Sequence, residues 1–369
     1  MSNPLLDQGG LPAFARILPE HVEPAVDARL AACRAEIDRL TRDVAVPTWE
    51  NFVEPLEELD DTISRTWSPV GHLNGVMNSD ALRAAYNACL PKLSVYATEV
   101  GQNEDLFRAY EAVSTLEHLD PTQRKLIENA LRDFRLSGVA LPAAQKARFK
   151  AISQELSQLT AKFSENLLDA TNAWSKLITD PARLAGLPES ALGLARQTAQ
   201  QRDQEGWLLT LDMPSYIPVM TYADDRDLRF EVYQAFGTRA SDQGPHAGQW
   251  DNGELMERIL ALRHELAQLL GFANYAERSL ATKMARSPEQ VLRFLTDLAE
   301  RSVAQARGEL EEVRAFARAH HGQDQIEPWD VGYYSEKLRV HRYQISQEEL
   351  RPYFPVSHVL SGLFGVAER

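Results

Sequence analysis

The chain has 369 residues, 44% hydrophobic and 25% charged, which is length and apolar material enough for a large core or two lobes. Thirty-nine Lys and Arg stand against 53 Asp and Glu, a formal net charge of −14. A surface that acidic repels phosphate backbones and anionic head groups, so nucleic acid and membrane partners are excluded, and no local basic patch overrides the mean.

Cys33 and Cys89 are too few for a disulfide framework and form no C-x-x-C metal pair, which suits a reducing compartment. The stretch Met1 to Asp7 lacks the basic region and apolar run of a secretion signal, and no run approaches the ~18 apolar residues of a spanning helix. A cytoplasmic location is the expectation. Along the chain, Pro47-Thr48-Trp49 opens a helix carrying Phe52, Leu56, Leu59 and Ile63. Asp120-Pro121 supplies an N-cap and a first-turn proline for a second, whose stripe runs from Leu126 to Phe134 and stops at Ser137-Gly138. Phe149, Ile152, Leu156, Leu159, Phe163 and Leu167 recur at spacings of three or four, and Trp174 and Leu177 continue the face of one long helix.

The helical pattern breaks once. Trp207 to Leu211 and Tyr216 to Tyr222 are short, apolar and rich in strand formers, and Asp212-Met213-Pro214-Ser215 between them is a turn cluster. This predicts a small β-hairpin near 207–222, with Pro218 confining the second strand to an edge. Ala240 to Gly253 is polar and loop-like, the best candidate for a linker or functional loop. Ser287-Pro288-Glu289 starts another long helix carrying Val291, Leu295, Leu298, Leu310, Val313 and Phe316. From Val359 to Ala367 an apolar stripe reads either as a short helix docked on the body or as a helix cut short at Arg369. The fold class is therefore mainly α: a large multi-helix lobe with one small hairpin and an apparent truncation. The division expected is an N-terminal helical region, 1–206, and an incomplete region, 207–369.

The tempting chemistry is His264-Glu265-Leu266-Ala267-Gln268. Zinc peptidases of one large class need His-Glu-x-x-His on a helix, because positions i and i+4 share a face and two imidazoles then reach one ion. Gln268 takes the place of the second His, so the expectation is a packed helix ending at Gly271. His320 and His321 diverge by about 100° on a helix and suit its C-terminal dipole, while His21, His72, His118, His246, His341 and His358 stand isolated in the sequence. There is no nucleophile elbow and no phosphate-cradling glycine loop. The segment Trp329 to Lys337 joins aromatics to charge. Its Tyr333 and Tyr334 either bond peptide carbonyls in a substrate cleft or pack the start of a helix onto the body. The residues themselves thus mark no catalytic group and no metal ligand.

Several longer stretches carry a resemblance. Met213-Pro214-Ser215-Tyr216-Ile217-Pro218-Val219-Met220-Thr221-Tyr222, Thr238 to Pro245, Ala261 to Ala267, Leu270 to Phe272, Ser279 to Ala285, Pro328-Trp329-Asp330 and Glu349 to Pro355 are similar to the oligopeptidase A-type branch of the thimet oligopeptidase family. So are Asn3 to Leu6 and Pro12 to Phe14, and the likeness runs in order over essentially the whole chain. It implies a nearly all-helical clamshell with a deep cleft, and zinc-assisted hydrolysis of short peptides, including signal-peptide fragments. In that family two His of His-Glu-x-x-His and a later Glu hold one zinc ion. None of those residues matches a position here, because the family motif lies beyond Arg369. The resemblance therefore implies a fragment of a zinc oligopeptidase, inactive alone. The alternative is a complete, non-catalytic helical protein that binds peptides or a partner. The oligomeric state is left open.

Overall fold

The computed structural model describes residues 3–7 and 9–369; Met1 and Ser2, part of the stretch read for a secretion signal, lie outside the described residues. Helices dominate, as expected. In chain order they are α1 (Pro19–Asp43), α2 (Glu54–Val76), α3 (Asp80–Gly101), α4 (Glu104–Ser114), α5 (Pro121–Leu136) and α6 (Ala143–Ala173). The strand β1 (Ser175–Ile178), α7 (Glu189–Gln200) and the strand β2 (Trp207–Thr210) follow. Then come α8 (Met213–Tyr222), α9 (Arg226–Gly237), α10 (Gly253–Leu269), α11 (Tyr275–Leu280), α12 (Pro288–His321), α13 (Pro328–Tyr343), α14 (Gln347–Leu350) and α15 (Val356–Ala367). The chain divides into two compact units, one of Met1–Phe163 with Leu255–Pro288, the other of Ser164–Glu254 with Glu289–Arg369.

In the first unit, local signals start and stop the helices where the sequence places them. Thr48 and Asn51 cap each other's backbone N–H groups at 3.3 and 2.7 Å, and a π-helical turn, Trp49–Val53, leads into α2. Asp120 and Gln123 do the same for α5, whose stripe Ile127, Leu131 and Phe134 is buried before Gly138 turns the chain out at φ +81°. One core gathers Leu40, Phe52, Leu106, Tyr110, Ile127 and Phe134; a second is built on the buried stripe of α1, including Val22, Val26 and Leu30. Phe149 and Ile152 of α6 meet Leu262 and Leu266 of α10, and Arg148–Glu265 and Arg258–Glu155 ion pairs flank that apolar seam.

In the second unit the strand expectation needs correction. Trp207–Thr210 is a strand, but its antiparallel partner is Ser175–Ile178, with Lys176 opposite Leu209 and Leu177 opposite Leu208. Residues 213–222 form α8, with Pro214 in its first turn and Pro218 inside it. The turn cluster is a helix start: Ser215 Oγ accepts the Thr210 N–H at 3.0 Å, and proline at a helix N-terminus loses no bond. The same finding shortens the long helix, since α6 ends at Ala173 and Leu177 lies in β1. Gly206, at φ +124°, lets the strands approach, because a Cβ there meets the Ile178 carbonyl oxygen at 2.6 Å. The core under this sheet joins Trp174, Ile178, Leu209, Leu211, Val219, Leu228 and Val232.

Candidate functional site

The second unit holds the most deeply buried ionic group among the described residues. Burying Arg229 and Asp330 costs free energy that their hydrogen bonds must offset, and Arg229 Nε is left without a partner. Asp330 is 0% exposed and Arg229 only 1%. Arg229, on α9, donates through Nη2 to Asp330 Oδ1 at 2.7 Å and through Nη1 to the Ala223 carbonyl at 2.6 Å. Arg226, one turn earlier, reaches Asp330 Oδ2 at 2.7 Å, and the Glu327 N–H donates to the same oxygen at 3.0 Å. Burial alone pushes the Asp330 carboxyl up, but Arg226, the Glu327 N–H and Arg229 together hold it below the ordinary carboxylate range.

Tyr333 and Tyr334, the two residues singled out for substrate binding, stand beside this group. Both are buried at 6% exposure. The Tyr333 hydroxyl donates to Asp224 Oδ1 at 2.6 Å, its ring lies 4.1 Å from the Arg229 guanidinium, and Lys337 completes the contact to Asp224 at 3.2 Å. Burial, reinforced by Asp224, raises the Tyr333 phenol, so it serves as a donor rather than a proton source. Tyr334 is raised by burial too and packs against His321, with ring centroids 5.4 Å apart.

The histidines are arranged differently from their sequence reading. His320 and His321 do sit at the end of α12, but His341 of α13 comes within 4.7 Å of the His320 ring, and Phe316 touches all three. Burial lowers His321 below the ordinary imidazole value, helped by Lys337 and His320. His264 is exposed on α10, Glu265 is bound to Arg148, and Gln268 donates to the carbonyls of Phe272 and Ala273 at 3.2 and 2.8 Å. That segment therefore does not fit a zinc ion, since its carboxylate is ion-paired and its fifth position acts as a donor. Among the described residues no group of three or more His, Cys, Asp or Glu side chains is placed to hold a metal.

The polar segment around 240–253 is a closed, ordered loop. Ala240, at φ +51°, accepts from Asn252 N–H, Ser241 accepts from Gly248 N–H at 3.0 Å, and the buried Asn166 and Asn252 amides join at 2.9 Å. Arg239 lies 3.7 Å over the Phe236 ring at its entrance. Nearby, Trp329 packs against Phe230 and Tyr233 at 4.7 and 5.8 Å, with Arg226 on its face, and Phe230 is 41% exposed. Sequence reasoning had Trp329 and Asp330 in view but missed Arg226, Arg229 and Asp224, whose partners lie about a hundred residues away.

Residues 219–369 match the family described as peptidase family M3, and residues 26–146 match the neurolysin/thimet oligopeptidase N-terminal domain. Oligopeptidase A of Escherichia coli (strain K12) is 55% identical over 372 aligned positions, which take in 100% of this chain and 55% of the relative. A probable cytosolic oligopeptidase A of Arabidopsis thaliana is 40% identical, with 100% and 53% covered. Dipeptidyl carboxypeptidase of Escherichia coli (strain K12) is 28% identical, with 100% and 55% covered. The chain thus spans about half the length of the curated relatives it matches.

Proposed function

Because the chain belongs to the thimet oligopeptidase family, peptidase family M3, on its oligopeptidase A-type branch, we propose that it forms the amino-terminal part of a zinc-dependent oligopeptidase acting in the cytoplasm. The whole enzyme hydrolyses short oligopeptides, signal-peptide fragments among them, and needs neither nucleic acid nor membrane. This stretch supplies a wall of the peptide cleft and, alone, holds no catalytic zinc and cleaves nothing. The observation that carries the reading is 55% identity sustained over the entire chain, far more specific than any short motif.

In this reading Tyr333 and Tyr334 are positioning residues. Their burial and the Tyr333–Asp224 bond favour a role in fixing the start of α13 behind the cleft wall, with substrate contact falling to more exposed neighbours such as Trp329 and Phe230. That same half-exposed group of Trp329, Phe230, Tyr233 and Arg226 favours the second reading, a non-catalytic peptide-binding module.

A chimera tests the first reading. Replacing the matched part of the Escherichia coli relative with this chain should give an enzyme that cleaves short fluorogenic peptides and loses that activity to chelators. A folded chimera that binds zinc yet cleaves no peptide contradicts the reading, and tight peptide binding by the 369-residue chain alone would then favour the module.

A further inference from the structure

Two helices of the second unit present apolar surface that nothing in the unit covers. On α12, Leu292, Leu295 and Leu298 are 62, 52 and 54% exposed, and they repeat at spacings of three along one side of the helix. Charged residues flank that stripe, the pattern of a helix that packs along another helix. α15 is more extreme. Between Val356 and Ala367 it carries no Asp, Glu, Lys or Arg, yet Leu360, Leu363 and Phe364 are 47, 59 and 63% exposed. Scattered exposed leucines are ordinary, but an uncharged twelve-residue helix lying open to water is not.

The chemistry of the two helices narrows the occupant. Among the described residues no helix is long and apolar enough to cross a membrane. A helix lying in a bilayer surface pairs its apolar side with Lys or Arg, and α15 has neither within a chain of net charge −14. The Escherichia coli relative, by contrast, keeps nearly half of its length outside the matched part, and the peptidase family match includes both α12 and α15. We propose that the stripe of α12 and the whole of α15 are the seat on which the remaining portion of an oligopeptidase A-type polypeptide docks. This inference rests on the family reading above and adds the surface by which the two parts are held together. A helix of the docked portion lies along α12, while α15 becomes an interior helix.

The test co-expresses this chain with the unmatched portion of the Escherichia coli relative as a separate polypeptide. A one-to-one complex is expected by sedimentation, with amide exchange across 292–303 and 356–367 slowed at least about tenfold against the chain alone. The double substitutions L295D/L298D and L360D/F364D should each weaken the complex about tenfold or more while the far-ultraviolet circular dichroism of the chain stays unchanged. If the free portion does not fold, the covalent chimera gives the same exchange readout. A defined dimer of this chain that protects both segments, or a complex that leaves them exchanging freely, overturns the proposal. Protection without peptidase activity leaves the docking surface standing and removes the peptidase reading; activity with both segments unprotected does the reverse.

Discussion

Single residues carry the strongest energetic statements. Removing one partner of a buried ion pair leaves the other charged and unsolvated, so Asp330→Asn should destabilise the second unit by about 3 kcal/mol, measured by denaturant unfolding. The sign of the pH dependence follows from the same site. Asp330 and Asp224 both titrate below the ordinary carboxylate range in the folded chain, burial opposing and the basic and hydroxyl partners prevailing. Their contribution is present above the unfolded carboxyl value and is lost as pH falls through the lower folded one. The acid transition of Asp330→Asn should accordingly be shallower than that of the parent. Cys33 and Cys89 make a separate prediction. Cys89 is 0% exposed and burial pushes its thiol up to about 11, while burial also raises Cys33. Neither should react with alkylating reagents at neutral pH until the first unit unfolds, and rapid labelling of the folded chain would contradict the packing described.

Elements were legible where their signals are local. α5 begins at Asp120-Pro121 and ends before Gly138 because capping, a first-turn proline and a left-handed glycine all lie within its own residues. Asp120→Ala should therefore cost about 1 kcal/mol, a loss seen as a lower unfolding midpoint with an unchanged slope. The segment 207–222 shows where local reading fails. The apolar run after Pro214 suits a strand or a buried helix equally, and tertiary contact with α9, β2 and α13 decides for the helix. β1 was hidden because Ser175–Ile178 continues the apolar face of α6 without a break in spacing, and only its pairing with β2 distinguishes it. The cluster of His320 and His341 was equally invisible, since it depends on α12 and α13 being folded back on each other.

At the scale of the molecule, the mainly helical class and the family were readable from the sequence, and the buried network was not. Arg229 and Asp330 are 101 positions apart, and nothing in either neighbourhood announces the other. The division into units was still less accessible, because the chain passes between them within α6 and again at the starts of α10 and α12. What the sequence did show was an absence of metal-binding spacing around His264, and the structure supplies the reason that segment is engaged otherwise: Glu265 holds Arg148 and Gln268 holds the following turn. On the proposed function, zinc chemistry belongs to the rest of an oligopeptidase A-type polypeptide. The direct measurement is zinc content and peptidase activity of the purified 369-residue chain, with and without chelator. No bound zinc after dialysis and no cleavage of short fluorogenic peptides are expected. One zinc per chain with chelator-sensitive cleavage would contradict that assignment.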